Sequence, residues 1–170
     1  KTEVKKEYWG EGELKSEKHY KDGKIDGFFT IWHKNGKKHY KTHFKADKKD
    51  GPSAAWYPNG EKRYEKNYKH GREHGRFTIW YQNGQEEWEA HYKNGAQDGR
   101  FTFWYENGNK KTEEYYVDGL QDGRFTLWHE NGQKDLELTL KDGRQHGLLI
   151  EWYENGKKKT ERNYKNGKED

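Results

Sequence analysis

The chain has no cysteine, which excludes disulfides, zinc–thiolate sites and cysteine nucleophiles and leaves the compartment open. It has two prolines, Pro52 and Pro58, and no apolar run near the length of a transmembrane helix or signal sequence. Aliphatic side chains are scarce. Only 28% of residues are hydrophobic against 38% charged, and the mean hydropathy of −1.69 would elsewhere argue for disorder. A thick globular core is therefore not expected. No segment carries the 3.6-residue apolar period of a helix. The sequence opens at Lys1 without Met and stops at Lys168-Glu169-Asp170, where earlier units read Asp-Gly and continue. Both ends are expected to be trimmed, so a signal segment could be missing and localisation is left open.

What the chain does have is aromatic residues, 16% of the total, in strict phase. Trp9, Trp32, Trp56, Trp80, Trp104, Trp128 and Trp152 follow at intervals of 23 and then 24 residues throughout. Self-similarity at such a period marks a stacked repeat array. Aromatic side chains carry large apolar area each, which lets a thin sheet fold with few aliphatics. The expectation is one repeat domain over residues 1–170, with irregularity around 46–55.

The regular units read Asp98-Gly99-Arg100-Phe101-Thr102-Phe103-Trp104-Tyr105-Glu106-Asn107-Gly108 and Asp122-Gly123-Arg124-Phe125-Thr126-Leu127-Trp128-His129-Glu130-Asn131-Gly132. Each β-prone run ends at Asn-Gly, the sequence signature of a two-residue type I′ hairpin turn with positive φ at both residues. A second run ends in another turn, such as Asp118-Gly119 or Asp142-Gly143. The expected fold is all-β: an elongated antiparallel meander of about seven 24-residue β-hairpin repeats in an open, single-layer twisted sheet.

A two-residue Asn-Gly loop pairs positions whose offsets from the tryptophan sum to seven. That sets Thr78 opposite Glu89, Ile79 opposite Trp88, Gly75 opposite Tyr92, Gly99 opposite Tyr116, Gly147 opposite Tyr164 and Gly51 opposite Tyr68. Glycine in a strand leaves a gap that a cross-strand aromatic can cover. Alternation puts Phe77, Ile79, Tyr81, Trp88 and Tyr92 on a packed face. Thr78, Trp80, Glu87, Glu89 and His91 fall on the other. The recurrent glutamate is expected to bond the opposing threonine. At about 4.8 Å per strand the tryptophans would lie about 10 Å apart.

These units, with their Asp-Gly, Phe-Thr-x-Trp-Tyr-x-Asn-Gly and Tyr-Lys-Asn-Gly steps, resemble the MORN repeat, and more closely the bacterial variant found in YwqK-type toxin-antitoxin components. The resemblance covers essentially the whole chain. It implies a β-sheet scaffold or binding module, with lipid contact proposed for some members and an antitoxin role for the variant. Ala46-Asp47 and Gly51-Pro52-Ser53-Ala54-Ala55 depart from the pattern, and a bulge or bend is expected there.

Catalytic chemistry is not apparent. His39 and His43, four apart on a strand, would lie about 13 Å apart, too far to share one metal ion. His70 and His74 read as turn residues, and no cofactor fingerprint is present. A glutamate repeated in six copies serves every copy, whereas an active site appears once. No enzyme activity, metal or cofactor is expected. The expected function is a protein-binding scaffold or antitoxin-like module, whose partner is another protein such as a toxin. Its candidate face carries Trp32, Trp56, Trp80, Trp104, Trp128, Trp152, Glu65, Glu89 and Glu113. Leu136, Leu138, Leu140, Leu148 and Ile150 form a candidate partner or dimer patch. Residues 1–75 carry 19 basic and 12 acidic groups, against 9 and 13 over 76–147. The basic end supports an alternative anionic-lipid association. The acidic middle disfavours nucleic acid, and nothing points to a small molecule. A third alternative is a structural spacer or accessory domain of a larger protein.

Overall fold

The computed structural model describes residues 1–10 and 12–170, and every regular element in them is a β-strand. Glu11 lies outside the described residues. Contacts divide the chain into two compact units, Lys1–Gly84 and Gln85–Asp170.

The first unit holds β1 (Thr2–Tyr8), β2 (Leu14–Lys21), β3 (Lys24–Trp32), β4 (Lys38–Lys45), β5 (Lys48–Trp56), β6 (Lys62–Lys69) and β7 (Arg72–Trp80). Each pairs antiparallel with the next. The second unit holds β8 (Glu86–Lys93), β9 (Ala96–Gln97), β10 (Gly99–Trp104), β11 (Lys110–Val117), β12 (Leu120–Gln121), β13 (Gly123–Trp128), β14 (Lys134–Lys141), β15 (Arg144–Trp152), β16 (Lys158–Lys165) and β17 (Lys168–Glu169). There β9 and β12 are short lead-ins to β10 and β13, broken at Asp98 and Asp122, and pairing again runs in chain order. Each unit is thus an antiparallel meander.

The strand register follows the aromatic phasing. Gly99 faces Tyr116, Gly147 faces Tyr164 and Gly51 faces Tyr68. Thr102 lies opposite Glu113, and Thr126 opposite Glu137. The turn that produces this register is not the expected one. At Asn107-Gly108 only the glycine has positive φ, at 88°, and the Gly108 N–H donates to Tyr105 O at 2.9 Å while the Tyr105 N–H donates to Asn109 O at 2.8 Å. This is a three-residue loop with glycine in the left-handed position. An extra residue, Lys111, then falls between the Trp104–Lys110 and Phe103–Thr112 pairs, and this bulge restores the offset sum of seven. Asn107 Oδ1 accepts from the Asn109 N–H at 2.9 Å, and the same bond recurs at Asn35, Asn59, Asn131 and Asn155. Asparagine is therefore selected for a local side-chain turn rather than for positive φ.

The type I′ geometry sits at the other turn. Asp118 and Gly119 have φ of 48° and 86° between the paired Val117 and Leu120. Ala46 and Asp47 adopt it without glycine, at 48° and 67°. Asp47 is held there by its Oδ1, which accepts from the Ile25 N–H at 2.7 Å. The departure at 46–55 leaves β5 continuous from Lys48 to Trp56, and the irregularity expected there is the register shift between Thr42 and Phe44 that other repeats share.

The strand glycines meet a second demand besides their cross-strand aromatic. Gly99 and Gly123 have φ of 108° and 111°, and a Cβ on either would lie 3.3 Å from the Cβ of His91 or Tyr115. The backbone conformation strains any other residue there, and a Cβ would have to push its neighbour back by a few tenths of an ångström.

One face carries the apolar packing. Phe101, only 2% exposed, meets Trp88, Tyr92 and Tyr116 with ring centroids 5.9, 5.6 and 4.7 Å apart. Phe29–Tyr40 and Tyr64–Phe77 are the corresponding edge contacts of the first unit. Burying a side chain the size of Phe101 contributes about 1.5–3 kcal/mol. Thr30, Thr102 and Thr126 are buried on the opposite face, beneath longer neighbours.

Ala46→Asn should raise stability by about 0.5–1 kcal/mol, because asparagine tolerates the left-handed region that costs alanine. Chemical denaturation measures this, and a lowered midpoint would contradict the turn geometry.

Candidate binding surface

Trp32, Trp56, Trp80, Trp104, Trp128 and Trp152 are half-buried, and Trp9 is exposed. Trp32, Trp56, Trp104, Trp128 and Trp152 each close a strand at the bulge. A lysine from the preceding hairpin covers several of these rings. Nζ of Lys62 lies 5.4 Å from the Trp80 ring, that of Lys110 5.5 Å from Trp128, and that of Lys134 5.6 Å from Trp152. Each of these ammonium groups also bonds the recurrent glutamate: Lys62 to Glu65 at 2.5 Å, Lys110 to Glu113 at 2.7 Å and Lys134 to Glu137 at 2.6 Å. Lys158 pairs with Glu161 in the same way. The expected Thr–Glu hydrogen bond is thus replaced by a lysine bridge, although threonine and glutamate do stand opposite each other. Glu89, 9% exposed, has Arg100 at 3.9 Å. The result on this face is a repeated Trp–Lys–Glu unit, combining a cation–π contact with a partly exposed ion pair.

Lysine six residues after tryptophan recurs at Lys38, Lys62, Lys110, Lys134 and Lys158, and this spacing was available in the sequence. In the second repeat Lys41 occupies the glutamate position and lies 4.0 Å over Phe28, so the unit is interrupted there.

The tryptophan backbone has its own partner. The Tyr57 hydroxyl donates to Trp80 O and the Tyr105 hydroxyl to Trp128 O, both at 2.9 Å, while His33 Nε2 lies 3.1 Å from Trp56 O. Trp9, followed by glycine, uses its own indole N–H to reach Trp32 O at 3.2 Å. Burial, helped by Glu130 and Asp135, pushes the Tyr105 phenol up, so it remains a donor. His39 stacks on His33 at 4.3 Å, and desolvation with the His33 charge lowers its pKa. Among the described residues, no three histidine or carboxylate side chains converge as a metal ligand set.

The candidate leucine patch is divided between faces. Leu136, Leu138 and Leu140 alternate on one side of β14, opposite Leu127, Phe125 and Gly123. Leu148 and Ile150 lie on the other side of β15, because Ile150 pairs with Glu137 while Leu149 pairs with Leu138. The one-residue alternation of a strand separates them, so five aliphatics close in sequence do not form one surface.

The MORN repeat variant matches the chain five times, over residues 4–22, 49–70, 97–118, 121–142 and 145–166, together more than half its length. The chain belongs to the MORN repeat variant family. MORN repeats are generally protein- or lipid-binding modules. No curated protein matches the chain. Among solved structures it is similar to a chain of the GtfA/B complex bound to UDP and GlcNAc, at 10% identity and a TM-score of 0.25. The alignment covers 81% of this chain and 24% of that one, so this chain spans about a quarter of that chain's length.

Lys134→Gln and Glu137→Gln should each lower stability by about 0.5–1 kcal/mol, and the double variant should lose less than their sum. Denaturation of the double-mutant cycle reads the coupling. Strict additivity would contradict the bridged geometry.

Proposed function

We propose that the chain is a non-enzymatic scaffold that binds another protein through its tryptophan face. The repeated Trp–Lys–Glu unit supports this reading. It offers a partly exposed aromatic with charges of both signs at fixed intervals, a combination suited to desolvated anchors within a polar rim. The recurrence of these side chains in successive hairpins favours recognition over catalysis, which would need one constellation distinct from the rest. In its finer form, drawn from the resemblance to the toxin-antitoxin variant, the partner is a toxin and binding neutralises it.

A second reading, anionic-lipid association, draws on the excess of 19 basic over 12 acidic groups in residues 1–75. Several of those lysines lie over aromatic rings: Lys18 over Phe29, Lys38 over Trp56 and Lys66 over Phe77. Their engagement favours the protein reading.

The test is capture of a partner from the source cell, followed by titration of the purified pair with Trp56→Ala and Trp128→Ala variants whose unfolding midpoints are measured alongside. The expected result is about a tenfold or greater loss of affinity for a folded variant, the size of a lost interface anchor. Undiminished affinity in both variants would overturn the assignment of this face.

A further inference from the structure

The second unit contains a cleft of about 550 Å³ lined by Asp98, Gly99, Glu113, Tyr115, Tyr116, Val117, Asp122, Gly123 and Arg124. Its origin is local. Gly99 and Gly123 stand on the strands flanking β11 and contribute no side chain, and the position beside Gly123 is occupied by Tyr115, whose Cβ would lie 3.3 Å from an added one. Tyr115 is 37% exposed, Val117 55% and Leu120 55%, and Val117 pairs directly with Leu120 across the type I′ turn.

These apolar side chains are specific to one repeat. The position of Val117 is lysine at Lys21, Lys45, Lys69, Lys93, Lys141 and Lys165, and that of Leu120 is Lys24, Lys48, Arg72, Arg144 or Lys168 in other turns, with Ala96 in one. Tyr115 stands where other repeats have His19, His43 or His91. The carboxylates are retained. Asp98 and Asp122 occupy the position of Asp26 and Asp50, and Glu113 that of Glu65. The substitutions therefore remove two cations from an acidic surroundings and place aliphatic groups there. Lys110 bridges to Glu113, the Tyr115 hydroxyl lies 3.4 Å from the same carboxylate, and Asp122 Oδ2 accepts from the Asp142 N–H at 3.1 Å. Arg124 is the cation on the wall. With Lys110 on Glu113 and Arg124 on the wall, Asp98 and Asp122 leave the cleft with one negative charge in excess.

We infer that this cleft docks a basic-apolar segment of a partner protein, seating an aliphatic side chain against Tyr115 and Val117, with Leu120 across the turn at its edge, and a lysine or arginine against Asp98 and Asp122. Charge complementarity selects this occupant: an acidic segment would meet the carboxylates, and a purely polar one would leave the exposed aliphatics in water. The inference rests on the protein-binding reading; the cleft shares Glu113 with the tryptophan face, but no tryptophan lines it.

Three synthetic heptapeptides test it, alternating leucine with lysine, leucine with glutamate, and serine with lysine, titrated against the whole chain while backbone amide shifts are followed. The leucine–lysine peptide should shift Gly99, Val117 and Gly123 and bind about tenfold or more tightly than the other two. The V117K/L120K variant restores the side chains that neighbouring turns tolerate, and it should lose that preference by a similar factor while its amide spectrum stays dispersed. Shifts confined to residues outside the cleft, equal binding of the three peptides, or unchanged binding by V117K/L120K would each overturn the proposal. Peptide binding at the cleft is read without the natural partner, so failure here is distinguishable from failure of the tryptophan-face variants.

Discussion

The hydrogen bonds that tie each hairpin to its neighbour at the turns organise the rest of the structure. A meander without a long-range core must obtain its cohesion laterally. At the Asn-Gly end the links run forward by 23 residues: Tyr57 to Trp80 O, Tyr105 to Trp128 O, Asn107 Nδ2 to Glu130 O and Asn131 Nδ2 to Glu154 O. At the type I′ end they run backward, with the Gly119 N–H donating to Gln97 O, Gly143 to Gln121 O and Gly167 to Gln145 O, all at 2.8 Å. The aspartate before the strand glycine adds a side-chain link, as Asp50 accepts from the His70 N–H and Asp122 from the Asp142 N–H. Donors and acceptors at these exposed turns are thereby paired with a neighbouring repeat rather than left to solvent alone.

This stitching explains the composition. Residues that bond between repeats, asparagine, aspartate, tyrosine and glycine, are preserved in most copies even where the strand interiors vary. Pro52, Ser53, Ala54 and Ala55 stand where most repeats have arginine, phenylalanine, threonine and a large apolar residue, without disturbing the pairing of β5 with β6. Apolar burial is concentrated instead in a few places, such as Phe101 beneath Trp88, Tyr92 and Tyr116. Variation is then free to alter the surface, as it does at Lys41 and in the cleft beside Tyr115. The same arrangement fits a family whose repeats serve generally as binding modules.

The all-β class, the hairpin repeat and the pairing of Gly99 with Tyr116 were legible because strand alternation and turn residues act locally. The turn type was not. Asn-Gly favours type I′ in isolation, but a three-residue loop lets asparagine bond both its own turn and the next one, and the compensating bulge conceals the change from any count of offsets. The lysine partner of Glu113 was visible as spacing, yet the choice between threonine opposite and lysine three residues earlier depends on that bulge. The leucines were misread as one patch because proximity along a chain crosses from face to face at every residue.

Native-state hydrogen exchange tests the lateral stitching most directly. The account predicts that the amides of Gly119, Gly143 and Gly167, which lie in exposed turns but donate to the preceding repeat, exchange as slowly as the neighbouring strand amides. Rapid exchange at these three glycines, with the strands still protected, would contradict it.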